Sequence, residues 1–227
     1  MKKILAYFSK TEFFLWFSSV VLIIVSFLIF DRRNYLTLIA SIIGVTSLIF
    51  NAKGNPIGQG LMVIFSILYG IISYTFAYYG EMITYLGMTL PMAVFSLITW
   101  LKNPFNGNKL EVKVNTVSKT EQLVMWIITS IITIIFYFIL NCFNTINIIP
   151  STISVTTSFL AVYLTFRRSP YFALAYAAND IVLVVLWLLA SFTDISYISV
   201  LVCFIAFLFN DIYGFINWLK MEKIQKK

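Results

Sequence analysis

Apolar residues along this chain come in long, nearly unbroken runs. They do not alternate as in a half-buried strand, nor form the single stripe of a soluble helix. Eight runs reach or approach the roughly 20 residues a helix needs to cross a bilayer: 13–30, 35–51, 57–79, 82–101, 121–142, 151–167, 170–190 and 196–219. The expected fold class is an all-α integral membrane protein with eight transmembrane helices. The longest hydrophilic stretch, "KNPFNGNKLEVKVNTVSKT" at 102–120, separates the fourth run from the fifth. Its Pro104, Asn106, Gly107 and Asn108 are turn formers, so it reads as a linker between two halves. Ser118 and Glu121 have the spacing of a capping box and mark the start of the fifth helix.

The two halves resemble each other. Block 55–102 opens on "NP" and ends in "LITWLK"; block 169–220 opens on "SP" and ends in "FINWLK". Pro56 matches Pro170, and Trp100-Leu101-Lys102 matches Trp218-Leu219-Lys220. Each block starts with Pro at a helix start and closes on a Trp-Lys interfacial anchor. Matched helices are four apart in order, so they run in the same direction and the repeats are parallel. The expected organisation is one membrane domain over 1–227. It holds an extra first helix (13–30), a three-helix bundle (35–101), a linker helix (121–142) and a second three-helix bundle (151–219).

Composition narrows the function classes. The chain is 60% hydrophobic and 11% charged, with mean hydropathy +0.92, where a soluble domain carries about 25% charged residues. Water-soluble enzymes are excluded. There is no histidine, so the commonest acid–base and metal-binding side chain is missing. Cys142 and Cys203 stand alone without a second ligand pair. No enzyme activity, metal or cofactor is expected. The net charge of +7 reflects orientation in the lipid bilayer, not nucleic-acid binding. With the N-terminus cytoplasmic, Arg32 and Arg33 are the only two of the sixteen Lys and Arg residues left outside. The positive-inside rule therefore places both termini in the cytoplasm. No small-residue cleavage pattern follows the first run, so it reads as a retained helix and not a signal peptide.

Polar residues inside the runs point to a site. Asn-Asp occurs at 179–180 and again at 210–211. Asn179 lies roughly 14 Å above the cytoplasmic start of its helix and Asn210 roughly 21 Å below the outer start of its own, so both lie near the midplane. At about 100° per residue, Asn210, Tyr213, Gly214 and Asn217 share one face, flanked by Asp211 and Trp218. Tyr176, Asn179, Asp180 and Trp187 fall within one third of the neighbouring helix. The fourth helix adds a stripe from Tyr85 to Thr99, and the third a stripe from Gln59 to Ser73. A carboxylate facing lipid at the midplane costs at least about 2.5–3.5 kcal/mol, so these stripes are expected to surround a central cavity. Interhelical bracing is the competing role for Asn and Asp. Pro91 is expected to kink the fourth helix. With no Lys or Arg at that depth, the lining suits an unphosphorylated small molecule: a neutral or cationic nucleoside-like ligand, a sugar or a thiamine-like cation.

The stretches "YYGEMITYLGMTLPMAVFSLITWLKNP", "YAANDIVLVVLWLLA" and "FIAFLFNDIYGFINWLKMEK" resemble the PnuC family of bacterial nicotinamide riboside transporters. The resemblance implies two parallel three-helix bundles joined by one helix, the plan also seen in SWEET sugar transporters, plus an extra N-terminal helix. It further implies a bacterial inner-membrane protein that takes up nicotinamide riboside by facilitated diffusion, with trapping by a separate cytoplasmic riboside kinase. It carries substrate contacts onto Asn179, Trp187, Asn210, Tyr213, Asn217 and Trp218. Asp180, Asp211, Gln59 and Tyr85 join them from the face pattern. Relatives assigned to thiamine, riboflavin or deoxynucleosides keep the substrate open. So do a proton-coupled carrier using Asp180 or Asp211 and a membrane sensor without transport. Homo-oligomer formation is compatible with the sequence.

Overall fold

The computed structural model describes residues 7–75, 78–145 and 147–226. Among them are eight helices long and apolar enough to cross a membrane: α1 (Lys10–Phe30), α2 (Tyr35–Ala52), α3 (Pro56–Thr75), α4 (Tyr79–Lys102), α5 (Lys119–Cys142), α6 (Ile148–Phe166), α7 (Phe172–Ser191) and α8 (Ile198–Gln225). This is a multi-pass membrane protein. A 3₁₀ turn at Ile195–Tyr197 leads into α8.

Local chemistry accounts for the ends that differ from expectation. Helix α1 starts at Lys10 because Ser9 and Glu12 form a reciprocal capping box. At α5 only half of such a box forms. Ser118 accepts the Glu121 N–H at 3.2 Å, but the Glu121 carboxylate turns to Arg167 and Tyr163. Helix α4 starts at Tyr79, three residues earlier than its apolar run, which brings Glu81 inside the span. Helix α4 also meets Pro91 with a π turn over Tyr85–Thr89, where the Leu90 N–H reaches back five residues to the Tyr85 carbonyl. Proline has no N–H to give, and widening one turn takes up the mismatch.

The helices pack in two consecutive triplets, α2–α3–α4 and α6–α7–α8. Between triplets, α2 lies on α8 and α6 lies on α4. The first helix of each triplet thus meets the third of the other, the arrangement a two-fold axis along the membrane normal generates. Trp100 and Trp218 meet on that axis, ring centroids 5.4 Å apart. Trp100 Nε1–H donates to the Thr165 carbonyl of α6 at 3.0 Å, and Trp218 Nε1–H to the Asn51 carbonyl of α2 at 2.8 Å. Those acceptors are equivalent. Each lies three residues before a turn residue with positive φ, Gly54 (64°) or Arg168 (56°), and five before the matched proline. Helices α1 and α5 sit outside the triplets. Helix α1 packs on α2 and α8, α5 packs on α6 and the start of α4, and both present mostly apolar side chains outward.

The 102–120 stretch is more structured than a linker. Pro104–Phe105 (β1) pairs antiparallel with Asn108–Val112 (β2). Asn106 and Gly107 both take positive φ, the two-residue geometry that suits a tight hairpin. The hairpin and the residues after it form a strap across the axis. Val112 N–H donates to the Gly54 carbonyl at 2.9 Å and Asn115 N–H to the Arg168 carbonyl at 3.0 Å, so the strap ties together the two equivalent turns. Val112 is fully buried beside Trp100, Phe172, Trp218 and Met221, sealing the face that carries the chain ends.

Candidate substrate site on the pseudo-two-fold axis

Near mid-membrane, between the triplets, lies a narrow cavity of about 20 Å³. Every triplet helix contributes to its lining, and neither α1 nor α5 does. One wall is apolar: Leu48 of α2, Met62 and Phe65 of α3, and Phe204 and Phe207 of α8. Phe65 packs against Phe207 at 5.5 Å and edge-on to Tyr85 at 5.9 Å. The other wall is polar: Tyr85 and Thr89 of α4, Ser158 of α6, and Tyr176, Asn179 and Asp180 of α7, closed by Asp211 of α8. The space suffices for a water. Small-molecule sites measure about 300–1,000 Å³, so a substrate is admitted only if the lining side chains or the triplets part.

Asn179 is held by α6. Its Oδ1 accepts hydroxyls from Ser154 (3.2 Å), Thr157 (2.8 Å) and Ser158 (3.1 Å). Positions three and four apart on a helix share a face, so one turn of α6 presents all three donors. Asp180 is 3% exposed. Its carboxyl faces that of Asp211, and its Oδ2 has no protein partner. No Lys or Arg lines the cavity. The ion pairs among the described residues lie at helix ends: Lys53–Glu12, Arg167–Glu121 and Lys226–Glu222.

Of the ten expected site residues, the structure brings Asn179, Asp180, Asp211 and Tyr85 together at the cavity. The other six lie elsewhere. Asn210 donates to Ser19 Oγ of α1 at 3.0 Å, and the Tyr213 hydroxyl donates to Glu12 of α1 at 3.1 Å. Asn217 donates to the Ala52 carbonyl and Trp218 to that of Asn51. The stripe expected to wall the cavity thus clasps α8 to α1 and α2, and Asp211, one residue round the helix, faces the axis instead. Gln59 braces α3 on α2 through Asn51 at 2.8 Å. Trp187 donates to the Tyr69 hydroxyl at 2.8 Å, in an aromatic layer with Tyr78 and Tyr197 between the cavity and the face opposite the chain ends. Burial and the neighbouring Tyr197 and Glu81 push the Tyr78 phenol up to about 12, so it remains a neutral hydroxyl.

Thr89, Ser158, Tyr176, Leu48, Met62 and the phenylalanines complete the lining without having been singled out as contacts. Thr89 and Tyr176 lay on the expected stripes. The phenylalanines carry no signal that separates a cavity wall from lipid-facing surface.

A family model described as "Nicotinamide mononucleotide transporter" matches residues 34–220. The nicotinamide riboside transporter PnuC of Neisseria mucosa is 27% identical over 201 residues, covering 86% of this chain and 76% of that protein. A solved structure, "Crystal structure of the Vitamin B3 transporter PnuC", superposes with a TM-score of 0.83 at 22% identity, covering 96% of this chain and 94% of that one. The match begins at residue 34, so α1 lies outside the family model.

Proposed function

We propose, from the premise that this chain belongs to the nicotinamide mononucleotide transporter family, that it takes up nicotinamide riboside by facilitated diffusion. A separate cytoplasmic kinase then traps the riboside by phosphorylation. One observation carries the substrate choice. The cavity shared by all six triplet helices offers carboxyl, amide and hydroxyl groups on one wall, aromatic rings on the other, and no basic side chain. Carboxylates and amides suit ribose hydroxyls, and aromatic faces suit a flat pyridinium ring. Phosphate calls for Arg, Lys or a cluster of N–H donors, so the riboside is favoured over the mononucleotide. The lysine and arginine distribution supports an inner-membrane protein with both termini cytoplasmic, the strap on the cytoplasmic face and the Tyr78–Trp187 layer outside.

The test is uptake of labelled riboside into proteoliposomes without an ion gradient. Saturable equilibration that unlabelled riboside blocks and the mononucleotide does not is the expected result; equal competition by both would sink the substrate choice. The Asp180–Asp211 pair favours one second reading, a proton-coupled carrier. In that case an imposed pH gradient accumulates substrate above equilibrium, and Asp211→Asn abolishes the accumulation.

A further inference from the structure

Glu81 has no part in the cavity just described, yet it is 2% exposed and sits inside a membrane-spanning helix. Its Oε2 has no hydrogen-bond partner. An ionisable group inside a membrane span is expensive unless it is paired or used. Among the described residues, the only cations on that face of the protein, Arg32 and Arg33, are exposed on the α1–α2 loop.

Three tyrosines lie close to Glu81. Glu81 and Tyr85 are four residues apart and share one face of α4, and Tyr78 is the residue just before the helix starts. The carboxyl lies within electrostatic range of the Tyr69, Tyr78 and Tyr85 hydroxyls. The rings form a continuous set: Tyr85 meets Tyr69 at 4.4 Å, Tyr69 meets Trp187 at 6.3 Å, and Trp187 meets Tyr78 at 5.0 Å. The set is connected to the cavity. Glu81 contacts Ser154 of α6, whose hydroxyl also reaches Asn179 at 3.2 Å. Tyr85 belongs to both groups. A buried carboxyl with one oxygen unpartnered, three tyrosines within electrostatic range and no basic group among its described neighbours has the chemistry of an organic-cation site.

We propose that Glu81, with Tyr69, Tyr78, Tyr85 and Trp187, forms a second binding station for a pyridinium-type cation, one helical turn outward of the central cavity. This rests on the transport reading for its physiological ligand, since nicotinamide riboside carries its positive charge on the pyridinium ring. The site itself can be tested without the riboside. Radiolabelled 1-methylnicotinamide, a pyridinium cation without a sugar, serves as the probe for equilibrium binding to the purified full chain. Uncharged nicotinamide is the control.

Glu81→Gln is expected to weaken binding of the cation at least tenfold and to move nicotinamide less than twofold. Glu81→Asp, which keeps the charge, stays within about threefold of the parent for the cation. A Gln variant that binds the cation as well as the parent overturns the proposal, and so does an Asp variant as weak as the Gln one. If the riboside is not taken up but 1-methylnicotinamide binding still depends on Glu81, the transport reading fails and the cation site stands. If uptake is robust and cation binding ignores Glu81, the converse holds.

Discussion

Adjacent residues on α7 do different work. Asn179 Oδ1 is engaged with α6 through three hydroxyls, and Asp180 beside it keeps an oxygen free. Replacing Asn179 by Ala removes one acceptor from three donors. Thr157 already shares its proton with the Ile153 and Ser154 carbonyls, so part of the loss is recovered locally. The expected cost is about 1–2 kcal/mol, read as a lower unfolding midpoint in detergent. The axial tryptophans allow a sharper test. Trp100→Phe and Trp218→Phe each remove one donor from a buried carbonyl that keeps a backbone partner, the Arg168 N–H on Thr165 and the Gly54 N–H on Asn51, a loss of about 0.5–1.5 kcal/mol. Because the two bonds are equivalent across the axis, the two variants are expected to lower the midpoint by the same amount. A twofold difference between them would mean that the apparent equivalence is geometric only.

At the scale of elements, α4 and α1 carry the information that sequence pattern conveys least well. Pro91 announces a disturbance in α4, but the pattern reads it as a kink; the structure takes up the missing N–H as a π turn over Tyr85–Thr89. A π turn inserts one residue, and one residue rotates everything beyond it by about 100°. Residues before the turn and after it, buried Glu81 and buried Ser96 among them, therefore cannot both keep their present facing once the insertion is lost. Pro91→Ala restores a donor and lets the segment relax to α-helix. The expected outcome is unchanged or higher thermal stability together with loss of uptake, and a variant that keeps full uptake would dissociate the π turn from the site. Helix α1 misled in another way. It draws Asn210 and Tyr213 out of the axis because its own buried Glu12 and Ser19 need partners. Glu12 also bonds Lys53 at 3.1 Å, so α1 clamps α8 to the α2–α3 turn. Glu12→Gln weakens charge-assisted bonds to Lys53 and Tyr213 and is expected to cost about 1–3 kcal/mol, measured as thermal stability in detergent.

Across the whole molecule, hydrophobic length alone was enough to read the eight spans, because the bilayer leaves little choice for a run of that length. The repeat was legible in Pro56/Pro170 and Trp100/Trp218, since helix starts and interfacial anchors use few residue types. Which polar face of α8 looks inward was not legible. A helical wheel shows that Asn210 and Asp211 lie 100° apart, but only the presence of α1 on one side decides between them. Glu81 was missed for a related reason: with the apolar run starting at 82, it counted as a loop residue. The repeat also exposes an asymmetry that bears on mechanism. Asp180 lies ten residues after Pro170, and the residue ten after Pro56 is Ser66; Asp211 lies seven before Trp218, and the residue seven before Trp100 is Ala93. Two bundles of one plan therefore meet at a cavity whose carboxyls come from the second bundle alone. If the two bundles served only as symmetric scaffolding, polar changes at equivalent places would have similar effects. If the second bundle holds the sugar and the first supplies shape and rings, they would not. Asp180→Asn and Asp211→Asn are expected to lower riboside uptake at least tenfold at subsaturating concentration. Ser66→Ala, whose hydroxyl bonds only the Met62 carbonyl of its own helix, is expected to change it less than twofold. Equal losses at Ser66 and Asp180 would reject the division of labour between the bundles.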